Sequence, residues 1–185
     1  MVKVLVPLAD GFEDVEAITV IDVLRRGGVE VVTASIHDRR DVRSAHGIRM
    51  EVDALLADVG DGTYDAIILP GGGEGTENLK RCEALAVRLR RQCDEGGLLC
   101  AICAAPTVLV SAGALDPRAE VTCYPTCQDG LDRPWSPAPV VNSGKVITGQ
   151  APGSALLFAL VVLQALAGEQ VAHAVARGMV TDVLD

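Results

Sequence analysis

Aromatic side chains are nearly missing from this chain, which has two Phe, two Tyr and one Trp in 185 residues. Stacking platforms for bases are therefore scarce. With 16 basic against 25 acidic residues the net charge of −9 repels polyphosphate, so no stable nucleic-acid partner is expected. Long apolar runs are missing too. The longest late stretch, Ala155 to Ala167, contains Gln164 and falls short of the about 20 residues that cross a bilayer. The amino end, Met1 to Leu8, is apolar over too few residues for a signal sequence and has no small-residue cleavage site, so it reads as a first strand. A soluble, cytoplasmic protein is expected, with no membrane partner, and its six cysteines are read as reduced thiols. No internal repeat or low-complexity segment is present.

What is there is alternation. Strands are predicted at Lys3 to Pro7, Val29 to Ala34, Ala66 to Leu69, Leu98 to Ile102, Glu120 to Cys123 and Lys145 to Thr148. Helices are predicted at Glu13 to Arg26, Glu77 to Asp94, Pro106 to Ala112, Ser154 to Ala167 and Glu169 to Ala176. This order argues for an α/β sandwich around a mainly parallel sheet, in a single domain spanning 1–185. The stretch from Pro125 to Pro139 has no clear period and is expected to be a long surface loop or small hairpin.

The strand Leu98 to Ile102 runs straight into Cys103, Ala104, Ala105 and Pro106, and Pro106 suits the first turn of a helix. A thiol at that corner faces free backbone donors, and a helix N-terminus carries roughly half a positive charge, which predicts a thiolate with a pKa below the roughly 8.5 of free cysteine. The reactive reading of Cys103 is preferred to a buried structural one, whereas Cys100, inside the strand, is read as structural. In an open parallel sheet ligands bind beyond the carboxyl ends of the strands, where the segments after Pro7, Leu69 and Ile102 converge. The Pro70 to Gly75 segment offers close backbone approach and N–H donors, but lacks the Gly-Lys-Ser/Thr ending of a phosphate loop.

On the first helix Glu13, Glu16, Val20, Val23 and Leu24 share one side, so a carboxylate heads an apolar stripe that should face the sheet. Glu13 and Asp14 are read as complementing the helix dipole, with Arg25 and Arg26 at the other end. For Glu16 that reading stands level with another: a buried, protonated carboxyl donating to a thiolate. Val15 and Ile18 lie on the opposite, polar side, as an accident or as a self-association patch. Cys82 and Cys93 share a face of the Glu77 to Asp94 helix. Cys123 and Cys127 lack the further ligands a zinc site needs, so no metal is expected.

Gly11-Phe12-Glu13-Asp14-Val15-Glu16-Ala17, Leu69-Pro70-Gly71-Gly72, Ala101-Ile102-Cys103-Ala104-Ala105-Pro106 and Gly149-Gln150-Ala151-Pro152-Gly153 occur in order and at intervals that resemble the ThiJ/PfpI superfamily, most of all its parkinsonism-associated deglycase branch, similar to glyoxalase III. The likeness runs from Val2 to about Ala176. It implies a flavodoxin-like three-layer sandwich with a nucleophile elbow at Cys103, and a homodimer, for which Val15 and Ile18 on the first helix are the candidate contacts. It also implies a protonated Glu16 hydrogen-bonded to the sulfur and an oxyanion site from the N–H groups of Gly72 and Ala104, with Gly71 and Tyr124 lining the substrate. The chain departs from the pattern at Tyr124, where many relatives place a histidine. Of the three histidines, His46 falls near the expected site loop, and His37 and His173 read as surface residues. With no imidazole at position 124, protease and amidotransfer chemistry lose support. The expected function is cofactor-free deglycase or glyoxalase chemistry on methylglyoxal, glyoxal or their early protein adducts, with Cys103 as nucleophile and Glu16 as proton shuttle. The alternative is a redox-sensing stress-response or chaperone protein in which Cys103 is oxidised to a sulfinate.

Overall fold

Apolar residues on both sides of a strand call for cover on both faces, and that is how the sheet is built. The computed structural model describes residues 1–184 apart from Asp61 and Thr63. In chain order the first elements are β1 (Lys3–Leu8), α1 (Asp14–Arg26), β2 (Glu30–Ser35), β3 (Asp41–Arg43), β4 (Arg49–Glu51), β5 (Ala54–Leu55) and β6 (Ala66–Leu69). They are followed by α2 (Gly73–Arg81), α3 (Glu83–Asp94), β7 (Leu98–Ile102), α4 (Pro106–Ser111), a 3-10 turn (Pro125–Gly130), β8 (Val140–Ser143), β9 (Val146–Gly149), α5 (Ala155–Ala167) and α6 (Glu169–Gly178). The main sheet has the order β5-β2-β1-β6-β7-β9-β8, parallel throughout except for the β8–β9 pair. Strands β3 and β4 form a separate antiparallel hairpin.

The period of two divides the core. Val4, Val6 and Leu8 of β1, with Leu98, Cys100 and Ile102 of β7, pack among Ala17, Val20 and Leu24 of α1 and Phe158 and Leu163 of α5. Leu5, Leu99 and Ala101 point the other way, to Leu79, Leu85, Leu89 and Leu109 of α2, α3 and α4. The result is the expected three-layer, flavodoxin-like α/β sandwich. Among the described residues no helix is long and apolar enough to cross a membrane.

The bounds of β6 and β7 fall where the sequence puts them, and those of β1, β2 and β9 shift by a residue or two. Two elements differ in kind. Glu120 to Cys123 is not a strand: Val121 makes one bridge to Trp135, and the Thr122 N–H donates to the Thr148 hydroxyl at 2.9 Å. Strand β9 already pairs with β7 on one side and β8 on the other, so no ladder is left for that segment. The helix expected over Glu77 to Asp94 is two helices, because Cys82 adopts an extended ψ of 95°. Cys82 and Cys93 therefore do not share a helix face. His37 and His173 are half-buried instead of lying on the surface, and His37 Nε2 accepts the Asp10 N–H at 3.0 Å.

Candidate active site

Cys103 follows β7 directly and holds a positive φ of 64°, a conformation that a side chain tolerates only where its surroundings fix it. Its N–H donates to the Gly149 carbonyl at 3.0 Å, and its own carbonyl accepts the Tyr124 N–H at 2.8 Å. With both backbone groups engaged, the elbow is held and the thiol is aimed out of the strand end at 8% exposure. Cys100, three residues earlier and inside the strand, is sealed in the core, and its thiol is pushed far up by burial.

Glu16 comes to the same point from α1. Glu13 caps that helix, its Oε2 accepting the Glu16 N–H at 2.8 Å, and the next turn directs the Glu16 side chain inward to full burial. Its Oε2 accepts the Gly71 N–H at 2.7 Å, while Oε1 is buried and meets no donor at full hydrogen-bond geometry. Gly71 lies between carboxyl and thiol: a Cβ there would fall 2.8 Å from both Cys103 Cβ and Glu16 Oε2. The dipole-only reading of Glu16 is overturned by this placement, because a carboxylate that served the helix end alone would stay in water.

The electrostatics of the pair depart from the expected lowered thiol. Burial pushes the Glu16 carboxyl up to about 7, against the Gly71 N–H and the Cys103 thiol, which favour its charged form. Burial and the neighbouring carboxylate push Cys103 up to about 12, with the N–H groups of Ala104 and Gly72 acting the other way. Burial and the neighbouring carboxylate outweigh the helix end, since α4 has only 6 residues. The two groups are coupled, and between about 7 and about 12, after the first proton has left, the pair holds one proton.

Glycine makes the close approach possible. Gly72 has a φ of 94°, and a Cβ on it would meet the Gly11 carbonyl at 2.2 Å, so the loops after β1 and β6 touch backbone to backbone. Cys103, Glu16, Gly71, Gly72 and Ala104 are thus brought together. Tyr124 reaches the site through its backbone bond to Cys103, with its side chain 42% exposed. Val15 and Ile18 lie outside, on the far face of α1, 51% and 46% exposed.

One feature has no local signal in the sequence. Asp14 does more than complement the helix dipole: it takes the Ser44 hydroxyl and meets His46 Nδ1 at 2.7 Å, fastening the β3–β4 turn to the start of α1. Glu13, Asp14 and His46 hold ligand atoms within 4.8 Å of one another. Glu13 Oε2 and both Asp14 oxygens are already taken by the Glu16 N–H, Ser44 and His46, and the positive end of α1 opposes a cation there, so the group acts as a clamp.

A thiol on a strand-to-helix elbow, facing a buried carboxyl across a glycine at the carboxyl edge of a parallel sheet, defines a class of cysteine-centred α/β sandwich proteins. The chain belongs to the DJ-1/PfpI family, whose model matches residues 2–165. Protein DJ-1 homolog B of Arabidopsis thaliana is 38% identical over 183 residues, covering 96% of this chain but 41% of the plant protein, so the chain spans less than half of that relative's length. The glutathione-independent glyoxalase DJR-1.2 of Caenorhabditis elegans is 39% identical over 170 residues, 90% of this chain and 89% of that protein. The structure of oxidised Toxoplasma gondii DJ-1 matches with a TM-score of 0.94 at 37% identity, over 98% of this chain and 100% of that one.

Proposed function

We propose that the protein converts small α-dicarbonyl compounds, methylglyoxal and glyoxal or their early adducts on protein side chains, without a cofactor. The observation that carries this reading is the buried Glu16 carboxyl facing Cys103 across Gly71, with the N–H groups of Gly72 and Ala104 acting on the sulfur. A relative named as a glutathione-independent glyoxalase supports the same direction.

As sulfur adds to the aldehyde carbon, the shared proton settles on Glu16 and the carbonyl oxygen becomes the alkoxide of a hemithioacetal. The Gly72 and Ala104 N–H groups hold that oxygen, which is charged only after attack. Once the alkoxide is protonated, ionised Glu16 takes the proton from the carbon bearing sulfur and returns it to the adjacent carbon through an enediol, leaving a thioester of a 2-hydroxy acid. Water then cleaves the thioester, restoring the thiol and releasing the acid. The net change is addition of one water with no outside oxidant. A thiol as high as about 12 needs such a base, since little thiolate forms without one. Two copies are proposed to associate through Val15 and Ile18, whose exposure on α1 is the support.

The test is loss of methylglyoxal in the presence of purified protein alone, with no added thiol or metal and with chiral analysis of the acid formed. Turnover that disappears in Cys103→Ser is expected. No turnover by folded wild type overturns the enzymatic reading and leaves oxidation of Cys103 as the better one.

A further inference from the structure

The loop that bonds to the back of Cys103 carries two more thiols, and neither has a place in the proposed chemistry. They converge on one atom. The carbonyl oxygen of Tyr124 accepts the Cys123 thiol at 3.3 Å and the Cys127 N–H at 2.8 Å. That brings the Cys123 sulfur next to the turn from which the Cys127 side chain springs. The two thiols also interact electrostatically, and Cys127 is one cause of the raised Cys123 thiol, pushed up to about 11 chiefly by burial.

Their settings are complementary. Cys123 is sealed in the core, whereas Cys127, on the 3-10 turn, is half-buried and open to a reagent in solvent. The one tryptophan of the chain lies against Cys123: Trp135 Nε1 is buried with no strict hydrogen-bond partner, and its N–H faces the Cys123 sulfur. A segment with no regular ladder, tied down by Val121 and the 3-10 turn, can absorb a small shift of Cys127 toward Cys123 more easily than a strand.

We infer that Cys123 and Cys127 form a reversible dithiol/disulfide couple, a modification site separate from Cys103, oxidised by small-molecule disulfides. Cys127 attacks a disulfide RSSR as thiolate, forming Cys127–S–SR and expelling RS⁻. Cys123 then loses its proton and attacks the Cys127 sulfur, and a second RS⁻ leaves. Two electrons pass from the protein to RSSR, which becomes two RSH. Closing the bond removes the thiol donor from the Tyr124 carbonyl, and Tyr124 is the residue whose N–H holds the Cys103 carbonyl.

The whole folded chain is equilibrated with mixtures of reduced and oxidised glutathione, acid-quenched, alkylated and digested with trypsin. One peptide, Ala119 to Lys145, holds Cys123 and Cys127, while Cys103 falls in another with Cys93 and Cys100. The expected product is the Ala119 to Lys145 peptide lighter by two hydrogens, its alkylation falling from two groups to none and restored by reductant. Trp135 fluorescence should fall in step, because a disulfide quenches an adjacent indole. Cys127→Ser, which leaves Cys103 and Glu16 untouched, should abolish the fluorescence change. A peptide that stays doubly alkylated, or a link between Cys123 and Cys103 in its place, overturns the assignment. These readouts need no dicarbonyl turnover, so they stand or fall apart from the proposed enzymatic function.

Discussion

The two faces of α1 break the same rule in opposite directions. On the inner face a carboxyl, Glu16, is fully buried among Ala17, Val20 and Leu24, while on the outer face two aliphatic residues, Val15 and Ile18, stand half in water. Neither arrangement favours the isolated fold. Burial of the acid is offset in part by the Gly71 N–H and is what raises the carboxyl to about 7, whereas Val15 and Ile18 stay about half exposed among the described residues. Local rules broken at neighbouring positions of one helix are where function is to be sought, and the proposed proton shuttle and the proposed self-association patch fall on these two faces.

Breaking the inner face should have the largest effect. Glu16→Gln keeps the shape and a donor but cannot exchange a proton, so methylglyoxal turnover should fall by about a hundredfold or more while the protein stays folded. Kinetics beside a circular-dichroism melt checks both parts. Next comes the spacer between carboxyl and thiol. In Gly71→Ala the new methyl meets Cys103 Cβ and Glu16 Oε2 at 2.8 Å each, so the pair must separate, and a stability loss of roughly 1–3 kcal/mol should accompany a fall in turnover.

The buried acid also sets a pH dependence with a definite sign. Glu16 titrates at about 7 in the folded chain against an ordinary 4.5, so between those values the folded state holds more protons than the unfolded one and stability falls as pH rises. The decline should approach on the order of 3 kcal/mol by pH 8. Denaturant melts of wild type against Glu16→Gln should show it in the first and not the second. On the outer face, Val15→Asp should change protomer stability by no more than about 0.5 kcal/mol yet give monomers in light scattering, if the patch meets its own copy across a two-fold axis.

Much of this contrast can be read from the sequence. The period of 3.6 places Glu16 with Val20 and Leu24, and the apolar run from Leu98 to Ile102 ending at Pro106 fixes both strand and elbow. The misses have two causes, elements too short to leave a pattern and partners that lie across space. Strands β3, β4 and β5 are two or three residues long, too short for a period to register, and Glu120 to Cys123, read as a strand, finds both edges of β9 already taken by β7 and β8. The sequence points the Cys103 shift the wrong way because a helix start is visible in it, whereas a carboxylate 87 positions away and the burial around it are not.

The central claim is that Cys103 and Glu16 titrate as a coupled pair that shares one proton between about 7 and about 12. The most direct measurement is the rate of Cys103 alkylation by iodoacetamide as a function of pH, in wild type and in Glu16→Gln. Wild type should show a step near 7, where the pair loses its first proton, with a further rise toward 12. Glu16→Gln should lose the step near 7 and titrate once, below 12, because the carboxylate that helps hold the thiol up is gone. Superimposable profiles in the two proteins would contradict the shared proton and take Glu16 out of the site.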